Sequence, residues 1–208
     1  PPRSTLFPYT TLFRSQRSAL PGLVGTALAG CVLLYDAWAK RTPLGPPAMG
    51  ACRLLNVLLG MSVAATAWGA PEWIVAGAIG LYVTGVTWFA RTESRLSSRW
   101  QLAAGSLVML SGIGLLASLP TQMQPMQIDS QRWYILMGLL ALVIGWRFVR
   151  AVVEPRPLYV QVAVRLAILS IVILDMAAVY AARGAAAAIA VMLLLVPAML
   201  LGQWVEST

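Results

Sequence analysis

The chain has 208 residues, of which 59% are hydrophobic and only 11% are charged. A soluble domain normally carries about 25% charged residues, so this composition excludes an ordinary soluble globular domain and favours a membrane protein. The net charge of +8 comes from Lys and Arg residues scattered between apolar runs, which argues against a nucleic-acid-binding face. The sequence has no histidine, so imidazole catalysis and His-ligated metal sites are excluded within it.

The N-terminal segment differs in character from everything that follows. Residues 5–15 have the sequence TLFPYTTLFRS, which is identical to the translation of a common short-read sequencing adapter. The segment also lacks the long apolar core of a signal peptide. We therefore predict that residues 1–15 are an adapter-derived artefact, and that 16–208 is a fragment whose N-terminal helices are missing.

Seven apolar stretches follow in chain order, separated by prolines, glycines and charged residues. Each is about as long as the roughly 20 residues that cross a bilayer as a helix. Only Arg183 and Gly184 separate the last two, so the number of helices is six or seven. The pattern predicts an all-α, multi-pass transmembrane helix bundle, with helices near 18–38, 46–67, 72–90, 101–119, 132–151, 158–181 and 185–204.

The basic residues between these helices fall mainly on one side of an alternating path. Cytoplasmic loops carry the excess of Lys and Arg, so this side and the C-terminus are predicted to face the cytoplasm of a bacterial inner membrane. The opposite side carries Arg17, Arg132 and Arg183. The predicted cytoplasmic side carries Lys40, Arg41, Arg91, Arg95, Arg99, Arg147, Arg150 and Arg156.

The first two helices carry polar residues at or near membrane depth, where charges are costly and normally face a cavity or the bundle interior. Asp36 and Lys40 are spaced i,i+4 and form either part of a head-group site or only a local ion pair with a snorkelling lysine. Arg53 and Asn56 are spaced i,i+3 and share one face of the second helix. Asp36 or Glu93 is expected to compensate the charge of Arg53.

Two further helices carry polar groups. Thr87 and Arg91 end the third helix, although a threonine in a membrane helix often bonds only its own backbone. In the sixth helix, Arg165 is predicted to snorkel and Asp175 to have a packing role. Cys31 lies inside an apolar run, as does Cys52, and both are expected to be packing residues rather than a disulfide or a metal pair.

The cationic and amide groups of the first three helices are predicted to meet near the cytoplasmic face. Such groups suit a diphosphate, whose oxygens accept charge-assisted hydrogen bonds. An apolar cavity open to lipid would surround the rest of the ligand. The expected ligand is therefore an amphiphile with an anionic head and a hydrocarbon tail, held by Tyr35, Lys40, Arg53, Asn56, Thr87 and Arg91.

In the segments LYDAWAK, MGACRLLNVLLG and GLYVTGVTWFARTES, the chain resembles the UbiA superfamily of intramembrane prenyltransferases. The resemblance implies the C-terminal part of the UbiA fold, with Tyr35 and Lys40 matching a Tyr…Lys pair that contacts diphosphate. In that family two Asp-rich motifs hold the diphosphate through Mg²⁺. The first, of the N-D-x-x-D-x-x-x-D type, is absent here, and the second is reduced to one carboxylate, Glu93. The resemblance thus implies Mg²⁺ as cofactor, with Glu93 as a metal ligand.

The resemblance also implies an activity, namely transfer of a prenyl group from an isoprenyl diphosphate to an aromatic or other small lipophilic acceptor. The reduced second motif supports an alternative, a catalytically silent relative that binds or transports an isoprenoid lipid. Without its upstream motif the fragment is expected to be inactive. Its expected partners are the isoprenyl diphosphate, the acceptor and membrane lipid, and not nucleic acid.

Overall fold

The computed structural model describes residues 19–63, 68–91, 99–123, 126–154 and 157–193. These residues are mostly helical and contain no β-strand, so the predicted all-α fold is confirmed for them. The predicted artefact at 1–15 and the predicted metal ligand Glu93 lie outside the described residues. The described residues form seven α-helices: α1 Leu20–Ala37, α2 Gly45–Ser62, α3 Ala70–Ala90, α4 Arg99–Ala117, α5 Ser130–Val153, α6 Pro157–Arg183 and α7 Ala185–Leu193.

The helix ends follow from proline and glycine. Helices α1, α2 and α3 each have a proline in their first turn, where the missing N–H would lack an intrahelical partner in any case. At the start of α3 the carboxylate of Glu72 accepts a hydrogen bond of 2.8 Å from the backbone N–H of Gly69. Gly184 has φ +81°, a conformation that only glycine adopts without strain, and it separates α6 from α7.

Five described segments are long and apolar enough to cross a membrane: Leu20–Ala37, Ala70–Ala90, Arg99–Thr121, Ser130–Val153 and Leu158–Arg183. Helix α2 is not among them, and it carries Arg53 and Asn56 in its middle. A chain with several such helices is a multi-pass membrane protein.

Helices α3, α4, α5 and α6 form a four-helix ring, since each of them contacts the next along the chain and α6 returns to α3. We call this ring the core. Helices α1 and α2 contact each other and form a hairpin, which reaches the core through the packing of α2 on α3. The largest fully buried side chains of the core include Tyr82, Phe89, Trp133 and Phe148.

Glycines bring α3 into close contact with α4 of the core and with α2 of the hairpin. A Cβ atom at Gly85 of α3 would lie 2.5 Å from the backbone nitrogen of Met109 and 2.7 Å from the carbonyl oxygen of Gly105, both in α4. A Cβ atom at Gly50 of α2 would lie 2.5 Å from the carbonyl oxygen of Gly80 in α3. Small residues of this kind allow membrane helices to pack backbone against backbone.

Exposed aromatic residues mark both ends of the bundle. At the end where α1, α3 and α5 finish, which we call the basic end, lie exposed Trp38, Trp88, Trp100 and Trp146. At the other end, Trp73 and Tyr134 are exposed near the starts of α3 and α5. Trp and Tyr collect at the two membrane–water interfaces, so these rings are consistent with a spanning bundle.

Candidate functional site

A basic cleft lies at the basic end of the bundle and has a volume of about 630 Å³. It is formed by the 3₁₀ turn Ala39–Arg41 that follows α1, by the start of α2, by the end of α3 and by the first turn of α4. Its three cations come from two separate segments of the chain. The lining residues are Lys40, Arg41, Thr42, Pro43, Pro46, Trp88, Arg91 and Gln101.

Arg91 ties the turn after α1 to the end of α3. Its Nη1 donates a hydrogen bond of 2.6 Å to the carbonyl oxygen of Thr42, and its Nη2 donates to the carbonyl oxygen of Lys40. Gly45 makes room for the guanidinium, because a Cβ atom there would lie 2.9 Å from Cζ of Arg91. The positive charge of Arg91 is therefore held at the wall of the cleft by neutral partners.

The two cations of the 3₁₀ turn differ in their partners. The ammonium of Lys40 lies 3.4 Å from the carboxylate of Asp36, in a pair whose side chains are 45% and 62% exposed. This confirms the predicted local ion pair. Arg41 is exposed and has no ion-pair partner within the part of the chain that the structure describes. Arg41 is thus the cation of the cleft that is most available to a ligand.

A second cavity, the crevice, has a volume of about 560 Å³ and lies between the hairpin and the core. Its walls are mostly apolar side chains of α1, α2, α3 and α6, such as Val32, Val83 and Ile171. Its polar lining residues come from α2 and α6 and are Cys52, Arg53, Asn56 and Asp175.

An ion pair between Arg53 and Asp175 joins α2 to α6 within the crevice. The Nη2 atom of Arg53 donates to Oδ2 of Asp175, and the two side chains are only 30% and 24% exposed. The partner of Arg53 is therefore Asp175 and not the expected Asp36, while Glu93, the other expected partner, lies outside the described residues. Asp175 thus does more than pack. The Nε atom of Arg53 is buried and has no hydrogen-bond partner among the described residues.

Asp175 also faces a third cavity, of about 640 Å³, at the end of the bundle opposite the basic cleft. This cavity lies between α2, α3, α6 and α7, and its charged residues besides Asp175 are Glu72 and Arg183. Among the described residues, Asp175 alone lines both this cavity and the crevice. The Arg53–Asp175 pair therefore lies where the two cavities meet.

The structure divides the predicted diphosphate contacts into two groups. Lys40 and Arg91 line the basic cleft, whereas Arg53 and Asn56 line the crevice. Tyr35 is half-buried on α1 and lines neither cavity.

Thr87 also lines neither cavity, and its hydroxyl donates a hydrogen bond of 2.8 Å to the carbonyl oxygen of Val83 in its own helix. Threonine hydroxyls in membrane helices often form this bond to the carbonyl oxygen four residues earlier. The hydroxyl of Thr87 is therefore bonded within its own helix, α3.

Arg41, Trp88 and Gln101 are among the cleft residues that sequence reasoning missed. Two of them carried a usable signal, since Arg41 follows Lys40 directly and Trp88 precedes Arg91 by three residues, on the same helix face. Gln101 carried none, because only the packing of α4 beside α3 brings it to the cleft.

The described residues that line the basic cleft include no carboxylate, and the predicted Mg²⁺ ligand Glu93 lies outside the described residues. Magnesium in proteins is held by one or two carboxylates together with phosphates and water. Asp36 is paired with Lys40 and does not line the cleft. No group of three or more His, Cys, Asp or Glu side chains that could hold a metal ion occurs within the described segments.

No protein-family model, no curated protein and no solved structure matches this chain. The resemblance to the UbiA superfamily therefore stays a prediction, and the function is argued from the cavities and their charges.

Proposed function

We propose that this membrane protein binds an isoprenyl diphosphate, with the diphosphate in the basic cleft and the hydrocarbon tail in the crevice. The observation that carries the proposal is the convergence of Lys40, Arg41 and Arg91 on one cleft at the end of an apolar bundle. A diphosphate has several anionic oxygens, and Arg and Lys side chains bind such oxygens through charge-assisted hydrogen bonds.

The path from head to tail follows one face of α2. Pro46 lines the basic cleft and Met49 lines the crevice, and residues three apart on a helix lie one above the other. A ligand whose head rests beside Pro46 would therefore direct its tail past Met49, between the hairpin and the core. The apolar walls of the crevice suit a prenyl chain, which binds by burial of apolar surface.

A second candidate function is prenyl transfer to a small lipophilic acceptor, and the polar groups of the crevice favour it. Asn56 and the Arg53–Asp175 pair supply hydrogen-bonding groups for an acceptor beside the tail. The cations of the cleft would stabilise the charge that develops on the departing diphosphate. Apolar walls would keep water from the allylic cation. The Mg²⁺ that the resemblance implies has no site among the described residues, so no step is assigned to it.

Binding can be tested with farnesyl diphosphate as the probe and detergent-purified protein. The double variant Lys40→Met/Arg41→Met removes two cations from the cleft while leaving Arg91 and its backbone contacts in place. The control, Arg132→Met/Arg147→Met, removes two exposed cations that line neither cavity. We expect at least a tenfold loss of affinity in the first variant, since each lost charge-assisted hydrogen bond is worth about 1.5–3 kcal/mol. The control should bind as the parent does.

Equal affinities of the two double variants would overturn the proposed site. Farnesol, which keeps the tail and lacks the diphosphate, should bind weakly and should not distinguish the variants. Release of inorganic diphosphate in the presence of a phenolic acceptor would support the transfer function, whereas binding without release would support the binding function alone.

A further inference from the structure

The two cysteines of the chain meet at the interface between α1 and α2. The Sγ atoms of Cys31 and Cys52 lie 3.2 Å apart, and both thiols are free. Cys31 also lies 3.8 Å, measured from Sγ, from the carbonyl oxygen of Ala48 in α2. A disulfide holds its sulfurs about 2.05 Å apart, so bond formation requires them to approach by roughly 1 Å. The pair is thus placed for a bond that would join the two helices of the hairpin.

The surroundings of the pair indicate which oxidant can reach it. Cys52 is buried from water but lines the crevice, whose walls are mostly apolar. Cys31 is half-buried on the α1 side of the same interface. A small apolar oxidant dissolved in the bilayer can enter the crevice, whereas a charged, water-soluble oxidant is disfavoured by the apolar lining.

We propose that Cys31 and Cys52 form a reversible intramembrane disulfide, produced by a lipid-soluble two-electron oxidant of the quinone class. The two S–H bonds break and one S–S bond forms. The two electrons and two protons pass to the quinone, which leaves as the hydroquinone. A dithiol or another thiol reductant restores the two thiols by exchange.

The bond would constrain the part of the hairpin that builds the basic cleft. The loop that it closes runs from Cys31 to Cys52 and contains Lys40 and Arg41, two of the three cations of the cleft. Cys52 directly precedes Arg53, which pairs with Asp175 of α6, so the bond would also tie α1 to the part of α2 that is joined to α6. Oxidation therefore locks α1 onto α2, and reduction allows α1 to move relative to the cleft.

The test uses the full chain in detergent or lipid nanodiscs, treated with a fully substituted benzoquinone, which cannot add a thiol at a ring hydrogen. After denaturation, the thiols that react with a maleimide reagent are counted by intact-mass measurement. We expect the count to fall from the two free cysteines to none, with loss of two hydrogen atoms and no dimer, and to recover on reduction. Ferricyanide, which stays in water, should act several-fold more slowly.

Single variants Cys31→Ser and Cys52→Ser serve as controls and should each keep one reactive thiol under the same treatment. In thermal unfolding, the oxidised parent should melt at a higher temperature than the reduced parent, and neither variant should show this difference. Retention of both thiols after quinone treatment, formation of disulfide-linked dimers, or faster oxidation by ferricyanide would each overturn the proposal. Equal melting temperatures of the oxidised and reduced parent would overturn the locking of α1 onto α2.

Discussion

The hairpin and the core are packed in different ways. In the core, 56% of the α3 span is buried, and its contact with α4 is built from glycines that bring backbone against backbone. In the hairpin, only 6% of the α1 span is buried, whereas α2 is joined to the core by the close contact of Gly50 with Gly80 and by the Arg53–Asp175 ion pair. The basic cleft and the crevice both lie along the hairpin.

This difference indicates where the protein can move. Close contacts between backbones leave little freedom to rearrange, because no flexible side chain lies between them. A helix with few buried contacts can shift at low cost in free energy. Ligand entry and thiol chemistry are therefore expected beside α1, while α2 and the core hold the fold. Four pairs of variants test the comparison, from the largest expected effect to the smallest.

A substitution that breaks the Arg53–Asp175 pair, which joins the hairpin to the core, should have the largest effect on stability. In Asp175→Leu the charge of Arg53 remains at membrane depth without its partner, and we expect a loss of about 3 kcal/mol in the free energy of unfolding. In the double variant Arg53→Met/Asp175→Leu most of this loss should be recovered, since both charges are gone. Unfolding by SDS in mixed micelles measures the difference. A double variant as unstable as Asp175→Leu would show that the carboxylate matters for another reason.

Within the core, Gly85→Ala should destabilise the contact of α3 with α4 by about 2 kcal/mol, because the new methyl group meets backbone atoms that cannot turn aside. The matched variant in the hairpin is Gly30→Ala, where a Cβ atom meets nothing within 4 Å. It should be neutral or slightly stabilising, since alanine favours a helix over glycine. Melting temperatures of the two purified variants provide the measurement, and equal losses would contradict the comparison.

The buried hydroxyl of Tyr82 donates a hydrogen bond of 3.1 Å to the carbonyl oxygen of Ala167, linking α3 to α6 inside the core. Tyr82→Phe removes this bond with little change of shape and should cost about 1 kcal/mol. Tyr35→Phe makes the same chemical change on the half-buried face of α1 and should have a smaller effect on SDS-induced unfolding. The opposite order of the two effects would argue that α1 is held more firmly than its burial suggests.

The exposed Lys40–Asp36 pair should contribute least to stability. Its geometry is loose and its side chains are open to solvent, so Lys40→Met should change the free energy of unfolding by less than about 1 kcal/mol. The small effect should disappear at high salt, because exposed pairs are screened. Unfolding measured at low and at high salt checks this, with Asp36→Asn as the reciprocal variant. A large, salt-independent loss would place Lys40 in a structural role.

The sequence by itself determined where the helices lie and at which end of the bundle the basic residues collect. The predicted stretch 72–90 corresponds to α3 at Ala70–Ala90, and 158–181 to α6 at Pro157–Arg183, because long apolar runs bounded by proline and charge are local signals. The pairing of Lys40 with Asp36 was predictable for the same reason, since residues four apart in a helical segment are neighbours. Orientation toward the cytoplasm stays a prediction.

Only the tertiary structure decided which helices meet and which charges they bring together. Arg53 and Asp175 are 122 residues apart in the chain, and no local periodicity connects them. The same holds for Cys31 beside Cys52 and for Gln101 at the cleft. Hydropathy fixes how often the chain crosses the apolar layer, but the side-by-side order of the helices depends on the shape of their surfaces. Glycines such as Gly50 and Gly85 allow neighbouring helices to approach closely. The resulting order of the helices brings the residues of the cleft and the crevice together.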